Sequence, residues 1–179
     1  MLLGLLGREQ QFAKPSGGPS ADPNWGPTLP PLTGGKLYAD PQGRFSVDVP
    51  QDWTQQADSS GSTTFLRQAT FVASMNVRTL PPGITLEDLQ TRYAGTIAQT
   101  QGATLLRLDK LFVAGERAYR FVYTNNDDNG QLFLVEYTIL VSGGKEHSLA
   151  FSTDPSDSAH LSVTFDRVLG SYVIGPAGR

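Results

Sequence analysis

Residues 37–53 read LYADPQGRFSVDVPQDW, and the fold is decided there. Phe45, Val47 and Val49 alternate with Arg44, Ser46 and Asp48, the period of a strand with one buried face. Ahead of them, Asp40-Pro41-Gln42-Gly43 has the proline and glycine that a tight turn selects, so Leu37 and Tyr38 should pair back onto this strand as a hairpin. Pro50 stops the second strand. Trp53 follows as the large apolar side chain expected to be buried and to pin the hairpin to the rest of the sheet.

Downstream, residues 53–57, 63–68 and 71–79 read as further strands, the last with Phe71, Ala73, Met75 and Val77 on one face. Pro81-Pro82-Gly83 breaks the run and the period changes. Leu86, Leu89, Tyr93 and Ile97 recur at spacings of three and four, an amphipathic helix. Thr85 is its N-cap, Asp88 completes a capping box, Ile84 staples onto Leu89, and Gly102 is placed to close it in a left-handed conformation. Strands are expected over 104–113, 117–124, 131–141 and 146–152. The third of these carries Phe133, Val135, Tyr137 and Ile139 on one face and Leu132, Leu134 and Leu140 on the other, so both faces should be covered. Asp154 and Pro155 open a last helix with Leu161, Phe165, Val168, Leu169 and Tyr172 as its buried stripe. The expected class is α+β: a mostly antiparallel sheet with helices on both faces, an α/β/α sandwich.

The first 35 residues are a different material. Pro15, Pro19, Pro23, Pro27, Pro30 and Pro31 are interleaved with glycines, which excludes both a helix and a long ladder. Two readings stay open for this segment, a linker and a partner-binding tail. A spacer needs no Trp25, Leu29 or Leu32, and these side chains are the candidate contacts with a partner protein or a second copy of the chain. Leu5 and Leu6, in the apolar start MLLGLLG, are a second candidate handle, too short to span a bilayer. The expected division is therefore a tail over 1–35 and a globular domain over 36–179, able to fold without the tail.

Net charge is −3 with no block of like charges, so long-range attraction favours neither nucleic acid nor an anionic membrane surface. The absence of cysteine excludes disulfides, thiolate metal sites and cysteine nucleophiles. The initial methionine favours a native start and a cytoplasmic compartment; a trimmed export signal would instead place the chain outside the cytoplasm.

The stretch YADPQGRFSVDVPQDW, the helix after PPGITLEDL, the segment VAGERAYRFVYT and the closing strand plus helix together resemble the PsbP-like and DcrB-like group. The resemblance covers residues 36–173 and implies an α/β/α sandwich with mostly non-enzymatic roles. Those roles include extrinsic photosystem II subunits, a Ran-binding nuclear import factor and cytosolic chaperones of secretion-system effectors, so the fold alone does not select one. The photosystem subunits use a lysine-rich N-terminal region. Here only Arg8, Lys14 and Lys36 occupy that part of the chain, and no functional residue is carried over.

Among possible chemical sites, residues 125–130, NNDDNG, followed by Glu136 match an EF-hand loop at every ligand position except the first. Flanking strands would hold Glu136 roughly 20 Å from Gly130, which favours a polar hairpin loop over a calcium site. His147 and His160 have no convergent partners at a recognised spacing, Gly143-Gly144-Lys145 lacks the rest of a phosphate loop, and no nucleophile elbow occurs. Arg67, Arg78, Arg107, Arg117 and Arg120 are candidates for a common anion or partner patch. The expected function is a non-enzymatic protein-binding accessory module docking onto a larger assembly, with a membrane-associated one among the candidates. The alternative is a cytosolic chaperone that binds an effector segment or a small apolar ligand. No catalytic residue, metal or cofactor is expected.

Overall fold

The computed structural model describes residues 25–57, 62–67, 70–126 and 129–175. In chain order it contains β1 (Lys36–Ala39), β2 (Phe45–Val49), β3 (Trp53–Ala57), β4 (Thr63–Arg67) and β5 (Thr70–Thr79), then α1 (Leu86–Gln99). After the helix come β6 (Thr104–Val113), β7 (Glu116–Asn126), β8 (Leu132–Ser142) and β9 (Lys145–Thr153), then α2 (Ser158–Gly170) and the two-residue β10 (Val173–Ile174). Seven strands form one antiparallel sheet in the order β3-β4-β5-β9-β8-β7-β6.

The deciding hairpin folds as its pattern requires but does not join that sheet. β1 and β2 pair with each other, and β10 completes a separate three-stranded sheet against β2. Within the hairpin turn, the buried Asp40 carboxylate accepts from the Gln42 and Arg44 amides and from the Arg44 guanidinium. The Arg44 hydrogen bond holds the Asp40 carboxyl below the usual carboxylate range.

Strand alternation sorts the core into two clusters. On one face of the large sheet, Phe65, Met75, Leu140, Leu149 and Phe151 meet Phe165, Val168 and Leu169 of α2 and the β2 side chains Phe45, Val47 and Val49. On the other, Tyr119, Phe121 and Ile139 meet Leu86, Leu89 and Ile97 of α1. The strand expected to be apolar on both sides, β8, contributes Leu140 to the first cluster and Ile139 to the second. The two helices thus cover opposite faces, and the molecule is an α/β/α sandwich.

Both helix starts follow their signals. Thr85 caps α1, with its Oγ1 accepting from the Asp88 amide while the Asp88 carboxylate accepts from Thr85 N–H. Asp154 caps a single 3-10 turn (Pro155–Asp157) that leads into α2. The ends differ from expectation. α1 stops at an extended Thr100, and the left-handed Gly102 (φ 82°) belongs to the turn that follows, closed by Ala103 N–H donating to Thr100 C=O. Tyr172 lies past the end of α2 yet is buried against Phe45.

Candidate partner-binding surface

The described part of the tail lies on the chain's own domain. Gly26 N–H donates to Lys110 C=O at 3.0 Å, and Thr28 bridges Phe112 in parallel, so the segment runs along the outer edge of β6. Trp25 packs on the α1 side, 5.2 Å from Tyr119 and 6.1 Å from Phe112 between ring centroids, with the Arg117 guanidinium 5.2 Å from its own ring. Leu29 and Leu32 pack against the α2-side cluster. The segment therefore straddles the sheet edge as a strap. Its seats are tight: a Cβ on Gly26 would lie 2.2 Å from Lys110 O, and one on Gly170 would lie 2.3 Å from Pro30 O. Leu5 and Leu6 lie outside the described residues.

Beside the strap, on the α2 side, the antiparallel register places Asp109, Arg120 and Thr138 next to one another across β6, β7 and β8. Arg120 is mostly buried and meets three carboxylates: Asp109 at 3.1 Å, Glu136 at 3.3 Å, and Asp166 of α2 in the tightest contact. Burial opposes the charge on Arg120, but the Asp166 hydrogen bond and the surrounding carboxylates more than offset that, so its pKa rises. Burial pushes the Glu136 carboxyl up, while Ser162, donating at 2.6 Å, and Arg120 pull it back. Arg107 adds a second guanidinium on Asp109.

Thr138 is fully buried next to this cluster, and its Oγ1 has no hydrogen-bond partner. Thr138→Val keeps the shape and removes the unpaired hydroxyl, so it should raise stability by about 1 kcal/mol, read from denaturant midpoints. A loss of stability would show that the hydroxyl is satisfied in solution.

Two shallow depressions flank the cluster and share Arg107. One, about 600 Å³, lies between the strap and β6, with Trp25, Leu29, Leu108 and Leu111 among its lining residues. The other, about 390 Å³, lies between the sheet and the start of α2, lined by Leu106, Val122 and Leu134 with Ser158 and Ser162 opposite. Leu106 sits at a β-bulge of β6, and Leu132 opens β8 at the same end of the sheet, two strands over and paired with Asn126 of β7. They are 57% and 44% exposed, large apolar side chains without cover.

The other candidate groups fall elsewhere. The five arginines do not form one patch: Arg107 and Arg120 meet through Asp109, Arg78 binds Glu146 on the α1 side, Arg117 lies over Trp25, and Arg67 pairs with Asp52 at the surface. Glu146 is buried and also accepts from Tyr93, which in turn accepts from Tyr137, tying α1 to the sheet. Of the calcium-like loop, residues 127 and 128 lie outside the described ones. Glu136 is committed to Arg120 and Ser162. Calcium should therefore leave the melting curve unmoved; a rise abolished by Asp127→Ala would contradict this geometry. Among the described residues no group of histidines and carboxylates is arranged to hold a metal ion, and no helix is long and apolar enough to cross a membrane.

His160 is exposed on α2, whereas His147 is buried and shares a 2.8 Å hydrogen bond with the Tyr172 hydroxyl. Burial, helped by Lys145 and Arg44, pushes the His147 pKa from 6.5 down to about 4. In the unfolded chain His147 takes up its proton at the ordinary value, so the stabilisation is complete above pH 6.5 and is lost as pH falls toward 4. His147→Gln should flatten that part of the stability profile.

The sandwich and its covered sheet define a class. In fold the chain is similar to cyanobacterial PsbP (CyanoP) from Synechocystis sp. PCC 6803, with a TM-score of 0.60 at 18% identity over 78% of this chain and 91% of the other. It is also similar to LpqN of Mycobacterium tuberculosis, described as involved in cell envelope biogenesis, with a TM-score of 0.57 at 14% identity over 80% and 87%. A third similar structure is PA94 from Pseudomonas aeruginosa, described as a putative regulator, with a TM-score of 0.55 at 17% identity over 80% and 99%. By sequence, residues 36–174 match the family described as serine/threonine kinase C-terminal domain, and the chain belongs to that family. No curated protein matches the sequence.

Proposed function

We propose that the chain is a non-enzymatic protein-binding module that docks onto a larger assembly through the α2 side of the sheet. The observation that carries this reading is the pair of uncovered leucines, Leu106 and Leu132, beside the Leu106-Val122-Leu134 depression. Apolar side chains flanked by the Arg107, Glu136 and Ser162 polar groups suit a partner segment that brings aliphatic contacts and hydrogen bonds together. The family description, a kinase C-terminal domain, fits a module that recognises rather than catalyses. A small apolar ligand suits the site less well, because the charged Arg120 cluster lies beside both depressions.

The test is a photo-crosslinker at Leu106 or Leu132 in native cells, followed by mass spectrometry, with Leu106→Asp and Leu132→Asp as paired variants. Both side chains are exposed, so folding should be unaffected while a specific crosslinked partner is lost by about tenfold or more. A partner retained undiminished by both variants would overturn the reading.

A further inference from the structure

At the end of β8 opposite Leu132, the two sheets leave a cleft of about 200 Å³ between their turns. One wall is the β8–β9 turn, with Ser142, Gly143 and Lys145, and the other is the small sheet, with Gly43, Arg44, Ile174 and Gly175. His147, buried where Lys145 is exposed, forms the floor. A Cβ on Gly43, Gly143 or Gly175 would meet nothing within 4 Å, so the space beside all three is open. Gly143 and Gly144 are both left-handed (φ 55° and 72°), and the tight turn they make sets Lys145 at the rim, on the same side of β9 as His147.

Hydrogen accounting shows what the floor offers. The buried Tyr172 hydroxyl has His147 Nδ1 as its one hydrogen-bond partner among the described residues, so it donates there. A neutral imidazole that accepts at Nδ1 carries its hydrogen on Nε2. That Nε2–H has no partner among the described residues and is the donor left for the cleft. Burial, then Lys145 and Arg44, keep a second proton off the ring, and the two cations make the local field positive. No carboxylate lines the cleft among the described residues, and the Ser142 hydroxyl is spent on Glu116. Asp40 answers the charge of Arg44, whereas Lys145 has no ion pair among the described residues.

We propose that this cleft binds a phosphate-type oxyanion, held by the Lys145 ammonium at the rim and the His147 Nε2–H at the floor, in the positive field of Arg44. Donors at rim and floor and a cation in the facing wall suit a tetrahedral group, which presents oxygens in all three directions, better than a planar carboxylate. The group is either inorganic phosphate or the phosphoryl end of a monoester, the chemistry of recognition being the same. The cleft lies at the other end of β8 from Leu132 and Leu134, so this reading and the docking surface there fail independently.

The experiment titrates the full chain with inorganic phosphate at pH 7 and constant ionic strength in chloride. NMR follows the His147 ring nitrogens and the Gly143 and Gly144 amides, which should shift saturably at millimolar phosphate. Lys145→Gln alters an exposed side chain and should weaken binding by about tenfold or more. Arg67→Gln, the same change of charge at a surface pair in β4, should leave it unchanged. Phenyl phosphate distinguishes the sources: binding as tight as phosphate assigns a phosphoryl group carried on a larger molecule, and exclusion of the ester assigns the inorganic ion. Shifts that never saturate, undiminished binding by Lys145→Gln, or a ring hydrogen found on Nδ1 overturn the proposal. Acetate acting as strongly as phosphate would assign the cleft to carboxylates and overturn it equally.

Discussion

Trp53→Ala should destabilise the protein by on the order of 3–5 kcal/mol, the range for deleting a large buried aromatic. The indole is 1% exposed at the first residue of β3, the point where the chain leaves the small sheet for the large one. Its ring centroid lies 6.2 Å from that of Phe165 in α2, 6.3 Å from Phe65 and 6.4 Å from Phe151. One side chain therefore touches two strands of the large sheet and the helix that covers them. Alanine leaves a void between layers already fixed by the stacked Phe151–Phe165 pair, so collapse around it is limited. Thermal melting should show a drop of about 10 °C or more for a chain of this size. Trp53→Phe should recover much of the loss, and an unchanged midpoint in Trp53→Ala would show that the indole is not buried.

Arg120→Ala should be comparably damaging, on the order of 3–5 kcal/mol at neutral pH, because it removes one partner of a buried ionic group. Three carboxylates, Asp109, Glu136 and Asp166, would then face one another, with Arg107 remaining on Asp109 as the one guanidinium among the described residues. Mutual repulsion and burial would raise their affinity for protons in the folded state. The variant should consequently regain stability as pH falls through the carboxylate range, opposite to the His147-driven fall expected of the unaltered protein. Urea midpoints at pH 7 and pH 5 separate the two effects, with the gap between variant and parent narrowing at pH 5. A gap that is the same at both values would show that lost packing, not lost charge compensation, is the cause.

Local chemistry made much of this legible in the sequence. The 3.6-residue period and capping box of α1 need only neighbours, and so do the turn at Asp40 and the Asp154-capped 3-10 turn that leads into α2. The two-faced apolarity of β8 gave the layer order, because a strand cannot be apolar on both sides unless both are covered. What stayed hidden depends on distant pairing. Nothing near Phe45 tells it to pair with Ile174 rather than with the large sheet, and β10 is too short for periodicity to find. Arg120 looked like one of five scattered arginines until register set Asp109 beside it and α2 brought Asp166 down. The tail offered Trp25, Leu29 and Leu32 as partner contacts, and in the structure all three pack on their own domain. Gly26 and Gly170 were the missed signals, each placed where a backbone passes too close for a Cβ.

The separation of the two sheets has a consequence for the order in which the chain assembles during synthesis. β6 to β9 are consecutive antiparallel neighbours, so each pair zips as soon as its hairpin leaves the ribosome, at little loop-closure cost. β5 must wait for β9, with Ala73 meeting Phe151. β2 waits longer still, because Ser46 pairs with Val173. The hairpin that announces the fold is thus among the first structures translated and the last to find its place. A nascent chain arrested before residue 173 would hold that hairpin's outer edge open, and a ribosome-stalling series should show it reaching protease resistance only when the final residues emerge.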